Sequence, residues 1–367
     1  IEPPLMAAPS GRPGFVNAHT HLYSGLVPLG MPAPQPPPAT FLEILERIWW
    51  RLDRALDERT LRAAARFYIA DALQRRTTAL IDHHESPNFI EGSLDVLADA
   101  CQELGMRAVL CYGATERNGG LEEARRGLAE CRRFIETNAR PLVRGVVGLH
   151  ASFTVSDTTI REAGELCREL GTVLHLHVAE DLADVEDARR RGYPGPIERL
   201  LALDALPAGS VLAHGVHLTR DQVRMAADAG CWFVQNPRSN RGNHVGYPLA
   251  LSASPRVALG TDGYPSDMGD ELLALVDEAA ANGEQGKHVS GRFDLSRALI
   301  AVRFSVQADG LKTCDPLDAV LTWGGRLREV TIGGRIVIRN DRLQTADIKE
   351  IRREAEDAAR RLWARMG

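Results

Sequence analysis

Eight short apolar runs recur along this chain, separated by stretches of helical length whose apolar positions return every three or four residues. The runs are FVNAHTH (15–21), TTALIDHH (77–84), RAVLCYGAT (107–115), VRGVVGLHA (143–151), TVLHLHVAE (172–180), SVLAHGVH (210–217), CWFVQNP (231–237) and RVALGTDG (256–263). Between them, FLEILERIWWRLDRAL, GSLDVLADACQELG, LEEARRGLAECRRFIETN and TTIREAGELCREL read as amphipathic helices. Strands that alternate with helices pair in parallel, because the crossover helix carries the chain back to the start of the next strand. Eight such units favour closure into a (β/α)8 barrel of TIM type over an open sheet.

The barrel is assigned to residues 13–306, and two regions depart from its rhythm. VPLGMPAPQPPPAT (27–40) is too rich in proline for a helix or a central strand and reads as an extended surface loop, a spacer in the first instance and a lid over the barrel mouth in the second. Past residue 320, REVTIGGRIVIRNDRLQTAD alternates like two strands around a turn, and DIKEIRREAEDAARRLWARM follows as a charged helix. Residues 1–12 and 307–367 are therefore expected to form a small β-sandwich appendage, incomplete in this chain, with a C-terminal helix.

Composition narrows the function classes. A net charge of -5 argues against a nucleic-acid-binding face, which needs a basic excess. The six cysteines are scattered without a CxxC pair and read as reduced, mostly buried thiols. No apolar run reaches membrane-spanning length and no signal-peptide layout opens the chain, so a cytoplasmic protein with no membrane partner is expected.

The informative asymmetry is positional. His19 and His21 end the first apolar run, His83 and His84 the second, His150 the fourth, His175 and His177 the fifth, His214 and His217 the sixth, and Asp262 the eighth. In a parallel barrel these ends converge on the face where active sites are built. Residues two apart on a strand point the same way, so His19 and His21 both aim into the mouth. Paired imidazoles fill a core poorly, since each polar nitrogen needs a partner, but they hold a divalent metal well. Alone, HxH leaves a structural reading open; joined by His177, His214 and Asp262, it favours ligation. Other polar residues carry plainer expectations. His175 lies deeper and supports the ligands, and His217 belongs to a loop. His83, His84 and Glu85 sit at the mouth, contacting substrate or supporting ligands. Asn236, Ser239 and Asn240 stabilise the loop after the seventh strand. Trp49 and Trp50 bury the apolar side of their helix, with site closure or a dimer contact as a second role. Arg241 and His244 read as solvated loop residues, with contact to a polar substrate as the second reading.

Five motifs, PGFVNAHTHL, HLHVAED, LAHGVHL, NPRSN and GTDG, run in order between residues 13 and 263. With them the chain resembles the amidohydrolase superfamily, in its cytosine-deaminase-like and atrazine-chlorohydrolase-like branch. LIDHHESP and GTDGYPSDM look closest to uncharacterised aminohydrolases of that branch. The resemblance implies a single divalent metal, zinc or else iron, on His19, His21, His177 and Asp262. It further implies a proton shuttle at Glu180, a histidine beside the attacking water at His214, a substrate contact at His150 and a homodimer or larger assembly. No lysine ends the fourth strand, which removes the carbamylated bridge of two-metal members. Members of this branch usually build their sandwich from segments on both sides of the barrel, and here the N-terminal part is nearly absent.

The residue types suit this chemistry in their own right. A divalent metal lowers the pKa of bound water from about 15.7 toward 7. Asp262 can then serve as general base, His214 can orient the nucleophile, and Glu180 can protonate a ring nitrogen or the leaving group. The expected reaction is hydrolysis of a C–N bond, deaminating a purine-, pteridine- or pyrimidine-like heterocycle. A cyclic amidase or triazine chlorohydrolase on the same site is one alternative, and a non-catalytic, metal-containing barrel that binds a metabolite is another.

Overall fold

In the computed structural model, residues 10–305, 318–323 and 326–366 are described. In chain order the first ten strands are β1 (Ser10–Pro13), β2 (Phe15–Thr20), β3 (Thr77–His84), β4 (Arg107–Ala114), β5 (Val143–Gly145), β6 (Val147–Ala151), β7 (Leu174–Val178), β8 (Val211–His214), β9 (Trp232–Gln235) and β10 (Val257–Leu259). From β2 to β10 all pairings are parallel, in the order β2-β3-β4-β6-β7-β8-β9-β10. The expected fourth strand breaks at Val146 into β5 and β6, both paired with β4, so the two pieces make one stave. The ring closes where the backbone N–H groups of Thr261 and Asp262 donate to the carbonyl of His19, each at 3.0 Å. Gly260 permits this closure: a Cβ there would lie 2.7 Å from the His19 backbone. The eight-stave barrel expected from the apolar runs is therefore the fold.

Its interior is filled by strand residues such as Val16, Ile81, Val109, Val211 and Val234. Leu299, Ile300 and Phe304 of the helix Lys287–Ser305 join the same cluster. Arg107, the first residue of β4, stacks on Phe304 at 5.0 Å, which places this helix at the amino-terminal end of the barrel. The carboxyl end is left to the polar residues.

Four further strands, β11 (Ala319–Trp323), β12 (Arg326–Ile332), β13 (Arg335–Arg339) and β14 (Arg342–Leu343), complete an antiparallel sheet of order β1-β11-β12-β13-β14. Residues on both sides of the barrel thus share one sheet, with Ser10 opposite Thr322 and Pro13 opposite Ala319. The charged helix Ile348–Met366 buries Ile351, Ala355, Ala358 and Leu362 in a core shared with helix Glu58–Gln74 and with Val330 and Ile338 of the sheet. Ion pairs of Arg66 with Glu354 and of Arg365 with Asp57 fasten it there.

Two local expectations need correction. The proline-rich segment begins inside a 3-10 helix, Leu22–Leu29, so only residues 30–40 are irregular. FLEILERIWWRLDRAL is helical, but a π turn at Leu45–Trp49 separates α segments Phe41–Ile44 and Trp50–Ala55. Turns of this kind shift the faces that follow and recur at functional sites. Five cysteines are buried and free; Cys314 lies outside the described residues. Among the described residues no helix is long and apolar enough to cross a membrane.

One buried cation holds the turn after β6. Arg199 is fully buried and donates to Asp157 Oδ1 (2.9 Å), Asp187 Oδ2 (3.1 Å) and the carbonyls of Ser152 (2.7 Å) and Val155 (2.9 Å). Substituting Arg199→Met leaves two carbonyls without this donor and takes one partner from each of two carboxylates, which keep Tyr193 (Asp157) and Arg191 (Asp187), and should cost about 3 kcal/mol of unfolding free energy. Urea denaturation measures this, and a loss below about 1 kcal/mol would show the network to be dispensable.

Candidate active site

At the carboxyl end of the barrel, three imidazoles are each held by one nitrogen and offer the other. His19 Nδ1 lies 2.9 Å from His175 Nε2, His21 Nδ1 donates to the carbonyl of His83 at 2.5 Å, and His177 Nδ1 to the carbonyl of His150 at 2.6 Å. Tying one ring nitrogen fixes the ring and aims the other, the usual arrangement behind a metal ligand. The free Nε2 atoms converge with Asp262: His21 Nε2 is 2.8 Å from Asp262 Oδ1, His19 Nε2 is 3.3 Å from it, and His177 Nε2 is 3.3 Å from His21 Nε2. Ligand atoms of all four residues lie within 4.8 Å of one another. His19 Nε2 is buried and makes no hydrogen bond, an orphan lone pair that a cation would satisfy. The donor set therefore fits a divalent metal.

Burial and Asp262 set the charge pattern of these four groups. Burial drives His19 down to about 3 against the pull of Asp262, and drives His177 well below the usual imidazole value. Burial would lower His21 too, but the hydrogen bond and charge of Asp262 outweigh it and raise that ring to about 9. Burial would raise Asp262, yet its contacts with His19 and His21 hold it well below the usual carboxylate range.

A second group stands beside the first. His214 is fully buried, its Nδ1 donates to Asn240 Oδ1 at 2.9 Å, and its Nε2 lies 3.5 Å from Glu180 Oε2. Burial pushes Glu180 up to about 7 although His214 opposes it. Three turn positions take left-handed backbone without glycine: Ala179 (φ 48°), His214 (φ 74°) and Asp262 (φ 53°). Such conformations cost roughly 1–2 kcal/mol each and persist where the surroundings impose them. Here they accompany the turn of each strand end into its loop.

Comparison with known proteins identifies the lineage. The model of the amidohydrolase family matches residues 12–303. The chain belongs to the amidohydrolase family. Relatives of this amidohydrolase include the 5'-deoxyadenosine deaminase of Methanopyrus kandleri, 25% identical over 392 residues that cover 95% of this chain and 86% of that protein. The 8-oxoguanine deaminase of Pseudomonas aeruginosa is 30% identical over 287 residues, 74% of this chain and 60% of that one. Among solved structures, an adenosine deaminase from Xanthomonas campestris with bound zinc aligns with a TM-score of 0.80 at 20% identity, over 96% of this chain and 86% of that chain. The atrazine chlorohydrolase of Arthrobacter aurescens TC1, complexed with zinc, gives 0.77 at 20% identity over 96% and 88%. At these identities the structural likeness speaks for the fold.

The remaining candidates of the amidohydrolase fall on either side of the cavity wall. His21, Glu85, His150, His177, Glu180 and Asp262 line it, faced by the apolar Phe41, Leu45, Trp49, Trp50 and Phe153. His83 and His84 are not on that wall. His83 donates from Nε2 to the carbonyl of Leu149 (2.9 Å) and sits 2.7 Å from Glu85, and His84 Nε2 is 2.8 Å from Ser86 Oγ. His150 Nδ1 meets Thr154 Oγ1 at 3.0 Å. His217 is half-buried, and Arg241 and His244 are exposed.

Two expectations are revised by this geometry. Trp49 and Trp50 form part of the cavity wall instead of merely burying a helix face, Trp50 lying under the Arg117 guanidinium at 4.8 Å. Ser239 and Asn240 belong to a short helix, Pro237–Gly242, and hold site residues: Ser239 Oγ donates to Asp262 Oδ2 at 2.5 Å. Asn243, not singled out from sequence, donates to Glu180 Oε1 (3.2 Å) and Ser239 Oγ (3.3 Å), linking the two carboxylates. Its signal was the four-residue spacing from Ser239, which means one helix face only once Pro237 is recognised as a helix start. Asp53, also missed, lines the cavity and pairs with Arg117 at 2.7 Å.

Proposed function

We propose that this protein is a metal-dependent hydrolase that removes an exocyclic nitrogen from a purine-, pteridine- or pyrimidine-like heterocycle. The observation that carries the proposal is the convergence of three anchored imidazoles and Asp262 beside Glu180, whose carboxyl burial raises to about 7. His19, His21, His177 and Asp262 would hold one divalent ion. Zinc suits their imidazole and carboxylate donors, and iron(II) takes the same set. When bound, the ion supplies Lewis acidity and makes water nucleophilic at neutral pH.

The protein's own groups do the rest. Asp262, steadied by Ser239, accepts the proton of the attacking water. His214, tied through Nδ1 to Asn240, keeps Nε2 turned toward the reacting centre and orients the nucleophile. Glu180 hands a proton to the ring nitrogen or the departing amine, and Asn243 fixes its carboxylate for that transfer. The aromatic wall packs against a flat ring and keeps bulk water out. Substrates named for the relatives, 5'-deoxyadenosine and 8-oxoguanine, support an aminated purine framework.

The test is a panel of aminated purines, pteridines and pyrimidines offered to the metal-loaded protein. Nitrogen should be released as ammonia or amine, and one oxygen from labelled water should appear in the ring product. Chloride from a chlorotriazine, or a ring-opened acid with no nitrogen released, would replace the proposal by one of the alternative hydrolyses.

A further inference from the structure

The catalytic cavity is the narrower of two adjoining cavities. A second cavity of about 600 Å³ adjoins it, between the turn Leu22–Leu29, the helix Glu58–Gln74 and the loops after β9 and β10. Three residues line both: Trp49, Asn243 and Gly263. The Trp49 indole lies so close to Gly263 that a Cβ there would come within 2.7 Å of the ring. The indole is therefore the partition, and a group reaching from one cavity into the other must pass it.

The place where the cavities meet decides what passes between them. Asn243 donates to Glu180, and Gly263 follows Asp262, so the cavities meet beside Glu180, which protonates the departing nitrogen in the function proposed above, and Asp262, which receives the proton of the attacking water. The far chamber is walled by Val27, Met31, Ile44, Ile48 and Phe67, with the Asp71–Arg75 ion pair (2.7 Å) also on its wall. Its character is apolar.

We propose that the second cavity receives an alkyl or aryl substituent carried on the exocyclic nitrogen of the substrate, so that the enzyme releases a primary amine instead of ammonia. This rests on the deamination reading. Water's oxygen bonds to the ring carbon as the carbon–nitrogen bond breaks. One of its protons ends on the leaving amine through Glu180 and the other on the ring nitrogen, giving an oxo-heterocycle and R–NH2.

The experiment is a titration of the metal-loaded protein with adenine and its N6-methyl, N6-butyl and N6-benzyl derivatives, read by tryptophan fluorescence and by amine-specific product analysis. Each buried methylene contributes up to about fourfold in affinity, so the butyl and benzyl compounds should bind at least about tenfold more tightly than the methyl one. Ile44→Trp fills the second cavity from a residue absent from the catalytic wall. It should shrink that gain below about threefold while leaving the N6-methyl affinity within about threefold; Val27→Phe makes the same test if Ile44→Trp does not fold. Affinity that is flat with substituent length, or a gain that survives the filled cavity, overturns the proposal. So does ammonia from adenine with no butylamine from the butyl compound. Length-dependent binding with no nitrogen released from any compound would remove the deamination reading and leave the cavity's assignment standing.

Discussion

Changing Glu180 to Gln will lower kcat by about 10³-fold, keep KM within about threefold and leave one divalent ion bound per chain. The glutamine amide retains the shape of the side chain and can still meet Asn243, which holds Oε1 at 3.2 Å. What disappears is the exchangeable proton of a carboxyl that burial raises to about 7. Glu180 is outside the four-residue set of His19, His21, His177 and Asp262, and its own group with His214 and Asp262 offers only three donors, so metal content should not move. Turnover on a substrate from the heterocycle panel, together with elemental analysis of the same sample, measures both quantities. A variant that keeps turnover within about tenfold would remove Glu180 from the chemistry. A parent protein that binds metal and heterocycle but never turns over would instead favour the non-catalytic barrel.

Asp262→Asn will behave differently, losing the ion and the activity together. Asp262 is the one carboxylate among the four convergent groups, and its Oδ1 approaches both His21 (2.8 Å) and His19 (3.3 Å). Altering residues behind the ligands of a metal site typically costs 10–100-fold in affinity, so loss of a charged ligand should exceed about 100-fold. Its backbone is left-handed at φ 53°, a conformation that asparagine tolerates as well as aspartate. The substitution therefore removes charge without adding backbone strain. Elemental analysis after dialysis against dilute zinc should show the parent loaded and the variant nearly empty, with kcat/KM reduced by about 10⁴-fold or more. Full metal content in the variant would mean that the ion sits elsewhere.

Much of this site can be read from spacing because strand geometry is simple. A period of two places His19 and His21 on one face, and parallel pairing gathers strand ends that are far apart in sequence. Helical and turn geometry hides more. Nothing in FLEILERIWWRLDRAL marks the π turn that accompanies the placing of adjacent tryptophans on the cavity wall. Ser239 reaches Asp262 from a helix of six residues that resembles a loop in sequence, and Asn243, which caps that helix, reaches Glu180. Asp53 is one of many acidic residues on charged helices until Arg117 is seen against it. His83 and His84 show the opposite limit. Strand position brings them to the mouth, but alternation and the neighbouring Glu85 decide which groups face the cavity.

The pairing of β1 with β11 separates two events in the life of the chain. The backbone bonds that close the ring at the His19 carbonyl come from Thr261 and Asp262, and the helix that fills the barrel ends at Ser305, whereas Ser10–Pro13 has no strand to pair with until Ala319–Trp323 is available. Contacts this distant in sequence form late, since a long loop must be closed before they gain anything. The imidazole nest can thus assemble on a growing polypeptide well before its two flanks are clasped. The clasp works as a latch on a finished vessel, governing how readily the barrel reopens more than whether it is built.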